Sequence, residues 1–345
     1  MLSKQFMRYS TRKISNSANF KTLPYFYHNL DSSSTLPRGE VSLTRQDALK
    51  FYTQMKRSRL MENECAPLSQ QGYINQLCHI YSGQEACAVG IFAEMHEKDL
   101  AITSYRNHVW AHLLGAEVSE VLTECTGRST GIVNGKSGSM HMFTDRFFGG
   151  NAMLCGQVPN GAGMALAMKL RKEPQICVTC YGDGTANQGQ LYETYNMAKL
   201  WNLPILFVCE NNRFGRVVES ETLTSNTKYY TRCDYIPGIR CDGIDIISIR
   251  EAARFARNFI ISGNGPLILE LQTEYHGHSA GPNPKTPPRD PIFEFRAKIL
   301  TQNLAEEKEL DEIDKDLKKL VEKAVFSAKN DDFLPMDGLF YGYLS

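Results

Sequence analysis

Between Ile176 and Asn212 an apolar run, an amphipathic run and a second apolar run follow one another, and each apolar run ends in polar residues. Ile176-Cys177-Val178-Thr179-Cys180-Tyr181 has the length and β-branched content of a buried strand and stops at the turn signal Gly182-Asp183-Gly184. From Gln188 to Trp201 the residues Leu191, Tyr195 and Ala198, with Met197 and Trp201 offset by one, recur at helical spacing, while Glu193 and Lys199 fall on other faces. Pro204 breaks this helix, and Ile205 to Cys209 predicts a second buried strand ending in Glu210-Asn211-Asn212. Strand, helix and strand of these lengths form a right-handed crossover, so the two strands are expected to be parallel neighbours.

The rest of the chain continues the alternation. An opening helix is expected from Ser42 to Arg59, with Leu49, Tyr52 and Met55 on one face, and an Ala-rich helix from Ala86 to Met95. Leu100 to Ser104 reads as a short strand, Gly127 to Gly156 as a long loop beside a site or a flexible linker, and Gly161 to Lys172 as a helix. Arg213 to Asp234 is expected to be loop, Ile244 to Ile249 strand, Ile249 to Ile261 helix and Pro266 to Gln272 strand. A proline-rich loop, Gly281 to Pro291, and an amphipathic helix, Glu306 to Lys329, close the chain. This pattern predicts an α/β fold with a central, mostly parallel sheet, helices on both faces and a C-terminal helical extension. The expected divisions are a leader over 1–30, a main domain over 40–300 and the extension over 301–345.

The topology decides where polar residues meet. Asp183 and Asn212 each lie just past the carboxyl end of a strand, at the edge where open parallel sheets bind ligands. A carboxylate, an amide oxygen and a main-chain carbonyl from the following loop form a hard oxygen shell suited to Mg2+, whose remaining positions a diphosphate or water fills. Gly182 and Gly184 let the backbone approach that diphosphate, and the next helix offers its amino terminus. Gly-Asp-Gly alone is ordinarily only a turn; its pairing with Asn-Asn after the next strand carries the specificity. Tyr105-Arg106 is delivered to the same edge, where arginine pairs with phosphate oxygens. His79 stands just ahead of the Ala-rich helix. His276 and His278 follow the last strand without a nearby cysteine or third histidine, which favours phosphate or cofactor contact over zinc. Gly135-Lys136-Ser137 lacks the strand context and leading glycine of a nucleotide-binding loop.

Composition removes further classes. The 345 residues carry 38 basic and 38 acidic side chains, so nucleic acid is a poor partner. No segment approaches the length of a membrane span. Ten cysteines without paired spacing fit a reducing compartment, and Cys177 and Cys180, three apart in a strand, point to opposite faces. The first 30 residues hold Lys4, Arg8, Arg12, Lys13 and Lys21, many Ser and Thr, and no acid before Asp31. That is the composition of a mitochondrial transit peptide, so the matrix is the expected location.

Gln84-Glu85-Ala86, Tyr105-Arg106, GKSGSMHM, GQVPNGAG, YGDGTANQGQ, CENN and YHGHS together resemble the alpha subunits of the decarboxylating component of the pyruvate dehydrogenase complex. Branched-chain relatives typically have Gly-Glu-Gly where this chain has Gly182-Asp183-Gly184. The resemblance implies a thiamine diphosphate-binding fold with Mg2+ held by Asp183, Asn212 and the carbonyl of Phe214. It implies cofactor contacts from Tyr105, Arg106, Thr144, Ala152, Leu154, Gly184, Thr185 and His278, with Leu154 using its carbonyl, and catalytic roles for His79 and His278. The implied activity is decarboxylation of pyruvate with acetyl transfer to lipoamide.

Thiamine diphosphate is gripped between two α/β modules, and this length holds one, so the second must come from another chain. The family implies a beta subunit in a heterotetramer of two alpha and two beta, the lipoyl domain of the acetyltransferase, and a regulatory kinase and phosphatase acting at Ser279. Charge added there beside the diphosphate would repel substrate or disorder the loop. Three departures stand out: Arg216 where the family has a large apolar residue, Ala152 in place of glycine, and a loop after Ser279 shorter by roughly ten residues, which loses a phosphorylatable serine and a Tyr-Arg motif that help order the loop. Glu219 replaces a second modification site. These departures leave open the alternative of a noncatalytic, regulatory subunit that binds the beta chain.

Overall fold

The computed structural model describes residues 14–30, 36–215, 218, 219, 222, 224–276 and 289–340. The chain opens with three short strands, β1 (Ser17–Lys21), β2 (Phe26–His28) and β3 (Glu40–Thr44), followed by the long helix α1 (Arg45–Gln70). Next come α2 (Glu85–Phe92), β4 (Leu100–Ile102), α3 (His108–Leu113) and α4 (Val118–Cys125). The central unit is α5 (Gln157–Arg171), β5 (Cys177–Gly182), α6 (Gly189–Leu200) and β6 (Ile205–Asn211). A two-residue hairpin pair, β7 (Phe214–Gly215) and β8 (Val218–Glu219), precedes β9 (Gly238–Asp242), α7 (Ile246–Phe259) and β10 (Leu267–Gln272). Helices α8 (Pro291–Thr301) and α9 (Glu307–Asn330) complete the described fold.

The main sheet has the order β2-β9-β10-β6-β5-β4. All its neighbours are parallel except the edge strand β2, which runs antiparallel to β9. The two-residue period of a strand sends alternate side chains into two layers. Val178, Cys180, Leu206 and Val208 join the core under α1, α2 and α7, whereas Cys177, Tyr181, Ile205, Phe207 and Cys209 join the core under α5 and α6. Cys177 and Cys180 therefore face opposite layers, as their spacing requires. Close packing needs a glycine on α5: a Cβ at Gly161 would sit 2.1 Å from the Thr179 hydroxyl oxygen of β5.

Helix α1 extends eleven residues beyond Arg59 because Met61, Cys65 and Leu68 keep the buried face going. The Thr44 hydroxyl starts it by accepting the Asp47 N–H at 3.1 Å. The expected strand at Ile244–Ile249 is instead a turn and the first residues of α7; the strand lies earlier, at Gly238–Asp242. A short run of isoleucines fits either period. The decision is tertiary, since the Tyr230 carbonyl oxygen lies 1.9 Å from where a Cβ on Gly238 would be, a contact only glycine permits.

The first and last described stretches are built into this core. β1 pairs with β3, and the Ser15 N–H donates to the Asn303 carbonyl at 2.8 Å. Residues 14–30, read from composition as leader, thus pack on the domain, while 1–13 lie outside the described residues. Helix α9 shares the core through Leu310, Val321, Ala324 and Ala328. Its last carbonyls are held by Arg128, whose guanidinium donates to Ala328, Lys329 and Asp331 at 3.2, 2.9 and 2.8 Å. No helix among the described residues is long and apolar enough to cross a membrane.

Candidate active site

Asp183 follows β5 and Asn212 follows β6, and these strands are hydrogen-bonded neighbours in register Gly182 to Glu210. The two side chains thus emerge at one sheet edge from strands about 4.8 Å apart. Asp183 is buried, and its Oδ1 accepts the Gly184 N–H at 3.0 Å. Asn212 donates through Nδ2 to Gln84 Oε1 at 3.4 Å. A Cβ on Gly184 would meet nothing within 4 Å, so this glycine leaves open space beside Asp183. Thr185, buried, begins the 3-10 turn that leads into α6.

The loop before α2 brings Gln84 to this edge through a buried ion pair. Arg59 of α1 donates from Nη2 to Glu85 at 2.8 Å and from Nη1 to Asp290 at 2.7 Å, and Glu85 is fully buried. The Gly83 N–H adds a bond to Glu85 at 3.1 Å. Gly83 has φ +96°, and a Cβ there would meet the Glu274 carbonyl oxygen at 2.7 Å. Only glycine lets this turn pass so close to the end of β10.

His79, Tyr105 and Arg106 are brought together. The His79 and Tyr105 rings lie 4.3 Å apart. The Arg106 guanidinium stacks over Tyr275 at 4.1 Å and donates to the Ile80 carbonyl at 2.7 Å. Burial and the Arg106 charge push the His79 pKa down. A neutral imidazole therefore faces this wall at pH 7, able to accept a proton.

Glu210, one residue before the paired asparagines, is buried and accepts a hydrogen bond from the Tyr81 hydroxyl. Burial pushes its pKa up from 4.5 to about 7, against the Tyr81 hydrogen bond and the Arg106 charge. Below its ordinary pKa the group is protonated folded or unfolded; above it the unfolded chain ionises first, so the folded state loses ground until the folded pKa is passed. That loss reaches about 3 kcal/mol. Glu210→Gln is expected to flatten the fall in Tm of the ligand-free protein across this window, from 4.5 to about 7. Parallel Tm profiles for the two proteins would show that Glu210 does not carry this linkage.

The glycine-rich segment after α4 is a loop ordered by one carboxylate. Glu124, fully buried, accepts the N–H groups of Val133, Gly135, Ser137 and Gly138 at 2.9, 2.9, 2.8 and 3.0 Å, and the Ser137 hydroxyl at 2.9 Å. The loop goes on to line an open cleft of about 780 Å³ with Thr144, His141, Phe143 and Phe148. Thr144 spends its hydroxyl on the Leu114 carbonyl at 2.8 Å. Ala152 donates its N–H to His141 Nε2 at 3.4 Å. Leu154 is exposed, as are Phe143, Phe148 and Met153. Thr144, Ala152 and Leu154 thus share one loop.

His278, Ser279 and Arg216 lie outside the described residues, and Phe214 is described only as backbone of β7. Sequence reasoning passed over Ser82, Thr103, Asn107 and Thr273 as site residues. Each carries a buried side-chain polar atom without a hydrogen-bond partner among the described residues, as does Gln84 Nε2. They sit in the loop before α2 and just past β4 and β10. Buried polar atoms are normally satisfied, so this edge fits a ligand rich in donors and acceptors, and the oxygen donors beside it fit a hard cation such as Mg2+. Gln84 had a signal in the sequence as part of the Gln-Glu-Ala motif, and Asn107 only through its place after Tyr105-Arg106.

The family model of the dehydrogenase E1 component matches residues 53–337. A Caenorhabditis elegans protein named "Probable pyruvate dehydrogenase E1 component subunit alpha, mitochondrial" is 50% identical, covering 95% of this chain and 85% of its own. The Ascaris suum pyruvate dehydrogenase E1 component subunit alpha type I, mitochondrial, is 45% identical over 97% of this chain and 87% of its own length. The Homo sapiens somatic form of the mitochondrial alpha subunit is 43% identical over 96% and 87%. With the fold and the paired strand ends in place, this likeness along nearly the whole length makes the chain a member of the dehydrogenase E1 component family.

Proposed function

We propose that this chain is the alpha subunit of a mitochondrial, acetyl-transferring pyruvate dehydrogenase that uses thiamine diphosphate and acts with a beta subunit. The observation that carries this reading is the meeting of Asp183, Asn212 and Gln84 at the carboxyl edge of β5 and β6. Asp183 and Asn212, with the main-chain carbonyl of Phe214, would hold Mg2+. Arg106 and His278 would face the diphosphate, with Tyr105, Gly184 and Thr185 beside it, and Thr144, Ala152 and Leu154 would border the rest of the cofactor. When bound, thiamine diphosphate supplies the electron sink for loss of CO2.

The protein's own contribution is orientation and proton handling. Arg106, braced between Tyr275 and the Ile80 carbonyl, offers a fixed charge to an anionic group. His79, held neutral beside it, takes up or returns a proton near the reacting centre, with His278 as its counterpart. The exposed side chains of Phe143 and Phe148 line the cleft, and with the exposed Met153 and Leu154 further along the same loop they are suited to burial by the beta chain in a heterotetramer. The lipoyl domain of the acetyltransferase would take the acetyl group, and a kinase and phosphatase would act at Ser279. A leader that ends ahead of Ser15 fits the packing of the amino-terminal strands.

Co-expression with a beta subunit tests the reading. The purified assembly is expected to release CO2 from pyruvate only with both chains, thiamine diphosphate and Mg2+ present. A well-formed tetramer that binds cofactor and shows no turnover would instead support the noncatalytic role.

A further inference from the structure

We propose that Cys65, Cys78, Cys125 and His108 form a second metal site, a buried three-thiolate, one-imidazole pocket for a soft divalent cation of the Zn2+ type. Four elements bring these residues together: Cys65 from α1, Cys78 from the loop before α2, His108 as the first residue of α3 and Cys125 as the last of α4. Ligand atoms of Cys65, Cys78 and His108 all lie within 4.8 Å of one another, and Cys125 Sγ is 3.6 Å from His108 Nε2. Tetrahedral Zn2+ with Zn–S of about 2.3 Å and Zn–N of about 2.0 Å sets its ligand atoms roughly 3.5–3.8 Å apart. Cys125 Sγ and His108 Nε2 already have that spacing, and the ligand atoms of Cys65, Cys78 and His108 would close in from within 4.8 Å of one another.

The surroundings match what such a site needs. His108 Nδ1 is 3.0 Å from Glu62 Oε2, and both residues are fully buried. A carboxylate on the far nitrogen fixes the ring, while Nε2 faces Cys125 and also lies 2.8 Å from the Ser139 hydroxyl and 3.1 Å from its carbonyl, contacts that a bound cation would replace. Cysteine binds metal as the thiolate and histidine as the neutral imidazole, so filling the site releases protons. The oxygen donors at Asp183 and Asn212 select a hard cation, whereas this sulfur-rich set selects a soft one.

The position gives the site a consequence. Cys78 precedes His79, which packs on Tyr105, and the following Ile80 carbonyl is held by Arg106. A bound ion would pin this wall of the active site to α1, α3 and α4.

The test uses the full chain co-expressed with its beta subunit and purified without chelator. Elemental analysis is expected to find one Zn2+ per alpha chain, falling at least tenfold in Cys65→Ser and Cys125→Ser and unchanged in Cys233→Ser, a thiol on the other face of the sheet. Co2+ added to the metal-stripped wild-type assembly is expected to give thiolate-to-cobalt charge-transfer absorption and intense tetrahedral bands. That spectrum needs no variant, so a misfolded Cys65→Ser chain does not decide the matter. No Zn2+, no cobalt bands and free or disulfide-linked thiols at these positions would overturn the proposal. Metal content is read without turnover, so it stands or falls apart from the enzymatic reading.

Discussion

Asp183→Ala is expected to lower turnover of the assembled enzyme on the order of 10³-fold, because the Mg2+ shell proposed here would lose its carboxylate ligand and with it several kcal/mol of charge stabilisation. The fold should survive. β5 is paired with β4 on one side and β6 on the other, and its side chains fill both cores, so its register does not depend on the residue that follows it. The measurement is steady-state decarboxylation against Mg2+ and cofactor concentration, with Tm in parallel. Asp183→Asn keeps one oxygen donor and should lose less, with part of its activity regained at high Mg2+. Activity near wild type in Asp183→Ala, at full occupancy of the tetramer, would remove Asp183 from the metal shell.

Glu124→Ala is expected to have the largest effect on stability among the changes considered. The carboxylate satisfies four main-chain N–H groups and a hydroxyl in the segment 133–138. Each hydrogen bond to a charged group contributes about 1.5–3 kcal/mol. Opening of the loop would return some of those N–H groups to water, which limits the net cost to about 4 kcal/mol and a Tm decrease of about 5–10 °C. A Cβ at Gly131 would lie 2.5 Å from Glu124 Oε2, which shows how tightly the loop wraps the carboxylate. Faster tryptic cleavage at Lys136 and faster amide exchange over 131–138 should accompany the loss. An unchanged cleavage rate would mean that other contacts order the loop. Because the same loop carries Thr144 and Ala152, which are proposed to border the cofactor, cofactor affinity should weaken together with stability.

The sequence and the structure agree where the information is local. The apolar runs at 177–181 and 205–209, the helix between them and the polar ends at Asp183 and Asn212 follow from spacing and from the one hand that a crossover takes. Boundaries were less legible. The isoleucines after Asp242 have the content of a strand and the place of a helix start, and only the approach of the Tyr230 carbonyl to Gly238 settles where β9 lies. The basic, Ser-rich composition of the first 30 residues continues past the point where the chain begins to pair, since β1 carries no alternating pattern strong enough to be seen.

The sequence by itself determined the α/β class, the parallel β5-α6-β6 unit and the strand-end carboxylate and amide, because helical and strand periodicity and crossover handedness act over short stretches. Only the tertiary structure decided the buried polar partners: Glu124 under the following loop, Tyr81 on Glu210, Arg59 on Glu85, and Cys65, Cys78 and Cys125 around His108. Those pairs join residues up to 129 positions apart. No periodicity encodes them; they form because a polar group removed from water must find a partner wherever the packed layers bring one within reach.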